Sequence, residues 1–280
     1  MIKLSKQTKV SDVQNRNILN SFKQILGEYC AINQFVELSK RSFLADHSVL
    51  LTDTDKFAQF ANNNSITLTY CDPLKMVHSI SLSYIVNVHL CFETFLKQLY
   101  QQIKDYGQNQ FQEKKQEESW LKSVSKNING ERFPPDIKPM YALCEYYRLV
   151  RNSAVHDLCN VETHSSEYKR LSDYDFKKDT KYSKLTAPNS YEKISFDDFI
   201  LFARSCVELA TYLYENCEFD YIKIVADIPN QQLAKWKKYK PERREHSICL
   251  YMKTYFKVDT NFKSQLPNII KLILARSSNG

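Results

Sequence analysis

Midway along this 280-residue chain the sequence reads Tyr146-Tyr-Arg-Leu-Val-Arg-Asn-Ser-Ala-Val-His-Asp157. Arg151, Asn152 and His156 bring three polar groups into about one and a half helical turns. Together they supply what RNA cleavage without a metal needs. A histidine takes a proton from a ribose 2′-OH or gives one to the departing 5′-oxygen. An arginine grips the scissile phosphate through two N–H groups and stabilises charge in the transition state. An asparagine orients either partner. At about 100° per residue, Asn152 and His156 share a helix face, whereas Arg151 and His156 lie roughly 140° apart. A site using all three therefore needs a bent helix end or groups from a second subunit.

A second candidate is electrostatic. The 62 residues from Phe219 to Gly280 carry 12 Lys+Arg against 5 Asp+Glu, which accounts for the whole net charge of +7. Within them Lys235, Lys237, Lys238 and Lys240 alternate with Trp236 and Tyr239, followed by Arg243 and Arg244. Cations interleaved with aromatics grip phosphates and stack exposed bases, so RNA is the expected contact. A partner protein or a membrane surface is the competing reading of such a face.

Other chemistries are disfavoured. The four glycines, Gly27, Gly107, Gly130 and Gly280, are never closer than 23 positions, so no dinucleotide or P-loop fingerprint exists. The eight cysteines form no Cys-x-x-Cys pair and no zinc-spaced cluster, so no metal or cofactor is expected. They read as reduced thiols of a cytoplasmic protein, several in apolar runs where a thiol packs as a small hydrophobe. No apolar leader opens the sequence and no run of 18 apolar residues occurs, so no membrane contact is expected.

The elements that must position these residues read as helices, and the expected class is all-α. Apolar residues of 12–44 keep one face. From about His78 to Ile103, Tyr84, Val88, Phe92, Phe95 and Leu99 recur at three- and four-residue spacing, the core stripe of the strongest helix. Pro139 suits the first turn of a helix over 139–158 that carries the motif, with Met140, Leu143, Tyr147 and Val150 inward. A further helix is expected over 195–217. Residues 62–65 read as a loop and Ile66–Tyr70 as a short alternating strand. Residues 105–118 read as a solvated linker or helix extension, and 160–193 as an insertion or mobile loop. The expected organisation is an N-terminal helical extension over 1–74, a helical domain over 75–218 and a basic segment over 219–280.

The stretch Arg151-Asn152-x-x-x-His156 resembles the signature of the HEPN superfamily. Its active members carry Arg, a polar residue, then His, with four to six residues intervening between the Arg and the His. The preceding Val88-His-Leu-Cys-Phe-Glu-Thr-Phe-Leu-Lys97 looks like the apolar helix with a Glu and a Lys that opens many such domains. The resemblance spans roughly residues 75–218 and implies an up-and-down helical bundle. It further implies a metal-independent endoribonuclease, with Arg151 and His156 catalytic and Asn152 assisting. A homodimer, a toxin or anti-phage defence role, and an antitoxin or regulatory partner follow from the same resemblance. A non-catalytic module of this type, binding RNA, nucleotide or a partner protein, is the alternative. Leu158 stands where a subset of the family has a modifiable tyrosine, so that regulation is not expected here. Arg41-Ser-Phe-Leu-Ala-Asp-His47 also fits the spacing but lacks the Asn and the preceding helix.

Overall fold

The computed structural model describes residues 18–69, 72–156, 161–174, 176, 184–252, 254 and 262–276. Among them the chain is all-α, in eleven helices: α1 (Ile18–His47), α2 (Thr54–Asn63), α3 (Pro73–Tyr106), α4 (Trp120–Asn129), α5 (Lys138–His156), α6 (Val161–Leu171), α7 (Phe196–Glu215), α8 (Tyr221–Ala226), α9 (Asn230–Lys237), α10 (Pro241–Tyr251) and α11 (Phe262–Arg276). Short 3-10 turns occur at Ser48–Thr52 and Tyr191–Lys193. Two compact units interleave along the sequence. One gathers the chain up to Lys23, Phe95–Arg132 and the chain from Ala210; the other comprises Gln24–Thr94 and Phe133–Leu209. The boundaries read from the sequence, near residues 74 and 218, fall inside these units.

Helix starts follow local chemistry. Asp53 accepts from the Lys56 N–H at the head of α2, and Asp72 from the Lys75 N–H just before Pro73 opens α3. Ser119 caps α4, whose far end closes on Gly130 at φ 64°, the left-handed conformation that glycine adopts without strain. At Gly107, where α3 ends, a Cβ would sit 2.5 Å from the Ile103 carbonyl oxygen. Only glycine fits that turn.

In the second unit α1, α3, α5 and α7 share a core. Tyr84 of α3 donates to Glu37 of α1 at 3.2 Å, and its ring packs on Phe199 of α7 at 5.8 Å. Tyr147 of α5 meets Phe202 of α7 at 4.8 Å, and the buried Cys144 and Cys206 thiols lie 3.9 Å apart. Burial raises the Cys206 pKa further than its neighbours do, and it lifts Cys91 to about 11. Both thiols stay protonated and act as packing groups. The decoy pair is absorbed here too: Arg41 Nε is 2.8 Å from Glu37 with its guanidinium over Phe196, and His47 packs on Phe43 and Phe60.

Two expectations are corrected and one is refined. Residues 66–69 form no strand, because alternation without a neighbouring strand leaves their ladder groups unpaired. Residues 107–118 are mostly exposed, as a solvated linker is, but they are also pinned. Gln112 and Asn127 exchange two hydrogen bonds, Lys114 N–H donates to the Tyr100 hydroxyl, and that hydroxyl donates to Glu113. The supposed loop at 160–193 contains α6, which sets His164, Tyr168 and Leu171 along one side at i, i+4 and i+7. By length and composition α3 is apolar enough to cross a membrane, but half of its most apolar stretch is buried within the protein, as in a core helix.

Candidate active site and candidate nucleic-acid interface

Helix α5 carries the motif and is unbroken from Lys138 to His156. Leu143, Tyr146, Tyr147 and Val150 are fully buried, while Arg151, Asn152 and Ser153 are half-buried one turn further on. Arg151 Nη1 donates to Asn152 Oδ1 at 3.1 Å, so the two residues present a joined polar pair. His156 is the last residue of α5; its side chain, with Asp157 and Leu158, lies outside the described residues. Of the two routes left open by the 140° separation, no break within α5 supplies the first.

The turn before Arg151 is held rigidly. Tyr147 donates to Asp198 at 2.9 Å and Tyr146 to the Asn189 carbonyl at 2.6 Å. Burial first, and the Asp198 charge second, push both phenols far above their usual range, so they remain donors. Asp198 is fully buried and also accepts from Asn189 and Ser195, each through both backbone and side chain. Its reach back to the Ser195 N–H forms the N-terminal box of α7. Arg148, two residues from the Tyr146 anchor, pairs with Glu145 at 2.9 Å.

Helix α6 packs directly on α5 across a connection of only four residues, which makes the two antiparallel. The Tyr146 and Tyr168 rings meet at 5.7 Å. Four residues along each helix, about 6 Å of rise, bring His164 level with Val150. His164 is buried and stacked on Tyr191 at 4.9 Å, and His78 meets the same Tyr191 ring edge-on at 5.9 Å. Burial, partly offset by Glu192, pushes the His78 pKa down. The Glu192 carboxyl is held low by its own backbone hydrogen bond, by Ser190 and by both histidines. Sequence reading gave His78 and His164 no role. Their partners lie 113 and 27 positions away, and no spacing rule joins them.

The basic segment behaves differently from its sequence pattern. Lys235, Lys237, Lys238, Lys240 and Arg243 are exposed, with Arg243 stacked 4.4 Å over the Tyr239 ring. Trp236 is fully buried and edge-packed on Tyr251 at 5.0 Å, which corrects its reading as a base-stacking platform. Arg244 is half-buried and donates to the carbonyls of Trp236, Lys237 and Tyr239 at 3.0, 3.2 and 2.9 Å. It closes the end of α9, where the last carbonyls need donors. Arg276 does the same for the carbonyls of Val225 and Ile228 after α8.

Among the described residues no three His, Cys, Asp or Glu side chains converge as a metal-binding group. No family model, no curated protein and no solved structure matches this chain.

Proposed function

We propose that the chain is a metal-independent endoribonuclease of HEPN type, acting as a homodimer in the cytoplasm in a toxin or defence role. The observation that carries the reading is the hydrogen-bonded Arg151–Asn152 pair, half-buried on α5 four residues before His156. In the reaction, a base removes the 2′-OH proton as that oxygen attacks the adjacent phosphorus. The P–O5′ bond then breaks and an acid protonates the departing 5′-oxygen, leaving a 2′,3′-cyclic phosphate and a 5′-OH. His156 serves as one of these proton carriers. Arg151 exchanges the Asn152 oxygen for phosphate oxygens, a stronger charge-assisted bond, and Asn152 holds the guanidinium until then. The unbroken course of α5 favours completion of the site by a second copy of the chain. The exposed lysines of α9 and the turn after it add sequence-independent attraction for the RNA backbone.

The test is cleavage of total tRNA and messenger RNA with EDTA present, comparing wild type with His156→Ala. The expected result is cyclic-phosphate ends from wild type and a loss of roughly 10²–10⁴-fold in the folded variant. Equal cleavage by both proteins sinks the assignment. Tight RNA binding without cleavage by either supports the second reading, a non-catalytic module, for which the half-buried Arg151–Asn152 pair is a binding group alone.

A further inference from the structure

Beside α6 lies a cavity of about 450 Å³, wholly within the second unit. Its walls include three aromatic rings, Tyr168, Tyr174 and Phe176, with the latter two in contact at 6.1 Å. Lys169 stands exposed at the rim, and Ser172 and Thr186 add hydroxyls. The volume falls within the range of small-molecule sites and accommodates a nucleotide-sized group. Aromatic walls with one cation suit a flat heterocycle carrying a phosphate, since a base stacks on the rings and an ammonium neutralises the anion.

The hydroxyls sharpen the choice of base. Ser172 Oγ donates its proton to the Lys169 carbonyl at 2.6 Å, and Thr186 Oγ1 donates to Asp197 at 2.9 Å. A hydroxyl has one proton, so both oxygens face a ligand as acceptors only. The Thr186 N–H is committed to the same carboxylate. Two acceptors suit an exocyclic amino group, which offers two N–H donors. Uracil offers one N–H flanked by two carbonyls, which two acceptor oxygens disfavour.

From this we infer that the cavity receives an unstacked base bearing an exocyclic amino group, adenine, cytosine or guanine rather than uracil, of single-stranded RNA. The inference rests on the reading of the chain as an RNA-acting protein and gives it a base-selecting subsite. Tyr168 connects the two, because its ring packs on Tyr146 of the motif helix.

Binding is measured on the full chain by fluorescence anisotropy with labelled 2′-O-methyl oligonucleotides, eight residues of A, C or U. These lack the attacking hydroxyl, so cleavage does not enter the readout. The expected result is A and C binding about tenfold tighter than U, with Tyr174→Ala losing roughly tenfold for A. Ser172→Ala, at an exposed position, is expected to shrink the preference for A over U. Lys169→Glu weakens all three equally. Equal wild-type affinity for A, C and U overturns the inference, as does an unchanged preference in Ser172→Ala. If cleavage depends on Arg151 while no base preference exists, the subsite fails and the nuclease stands. If the preference exists and no RNA is cut, the nuclease fails and the subsite stands.

Discussion

Two stretches of this chain look alike as sequence, and the structure gives them opposite characters. Both set arginines among aromatic residues: Tyr146, Tyr147 and Arg151 on α5, and Trp236, Tyr239 and Arg244 around α9. On α5 the aromatics do the anchoring. Their hydroxyls bind Asp198 and the Asn189 carbonyl, and one Arg151 N–H meets the neutral amide oxygen of Asn152. Around α9 the arginine itself does the anchoring. Arg244 is fixed to three backbone carbonyls, and Trp236 fills the core beneath. An arginine beside aromatics is thus a ligand-binding candidate only where something else satisfies the backbone. In the basic segment the lysines and Arg243 are exposed, whereas Arg244 is committed to backbone carbonyls.

This contrast is broken or sharpened by substitution. The largest expected effect is Trp236→Ala, which empties a fully buried indole site next to Tyr251. A loss of about 3–5 kcal/mol is expected, read from the denaturant midpoint. A loss under about 1 kcal/mol would mean that the indole is not core and restores it as a stacking platform. Next come the two arginines, measured as a pair. Arg151→Ala is expected to lower cleavage roughly 10²–10³-fold with little change in stability. Arg244→Ala is expected to leave the cleavage constant intact and cost about 1–3 kcal/mol, since it strands carbonyls at the end of α9. If the two effects were reversed between stability and cleavage, the assignment of roles would be reversed with them.

The sequence carried much of this, for identifiable reasons. The α3 stripe was legible because Tyr84, Val88, Phe92, Phe95 and Leu99 are all apolar and recur at helical spacing, and all are buried. The motif helix was legible from Pro139 onward for the same reason. Helix α6 was not. Its inward residues are His164, Tyr168 and Leu171, so two of three inward positions bear polar groups and hide the period. The strand expected at Ile66 failed because alternation describes a face, and a face needs a neighbouring strand to pair with. Side-chain direction was the other illegible quantity. Nothing in Lys235-Trp-Lys-Lys-Tyr-Lys240 distinguishes the buried Trp236 from the half-exposed Tyr239. Likewise, the His164–Tyr191–His78 cluster joins α6, a 3-10 turn and α3, a juxtaposition set by packing alone.

The smallest expected effect isolates charge from architecture. Lys237 and Lys238 are exposed on the same short stretch that buries Trp236 and fixes Arg244. Reversing both, Lys237→Glu with Lys238→Glu, leaves those anchors in place, so stability is expected to change by no more than about 0.5 kcal/mol. Each phosphate contact on single-stranded RNA contributes about 0.7 to the slope of log K against log salt, so losing two lowers that slope by about 1.4. The measurement is binding of a single-stranded RNA across a salt series, for wild type and the double variant. A reduced slope with uniform weakening across sequences identifies the lysines as backbone contacts, while base choice stays with other residues. An unchanged slope removes this face from the RNA path, and its charge is then best read as a surface for an acidic protein partner.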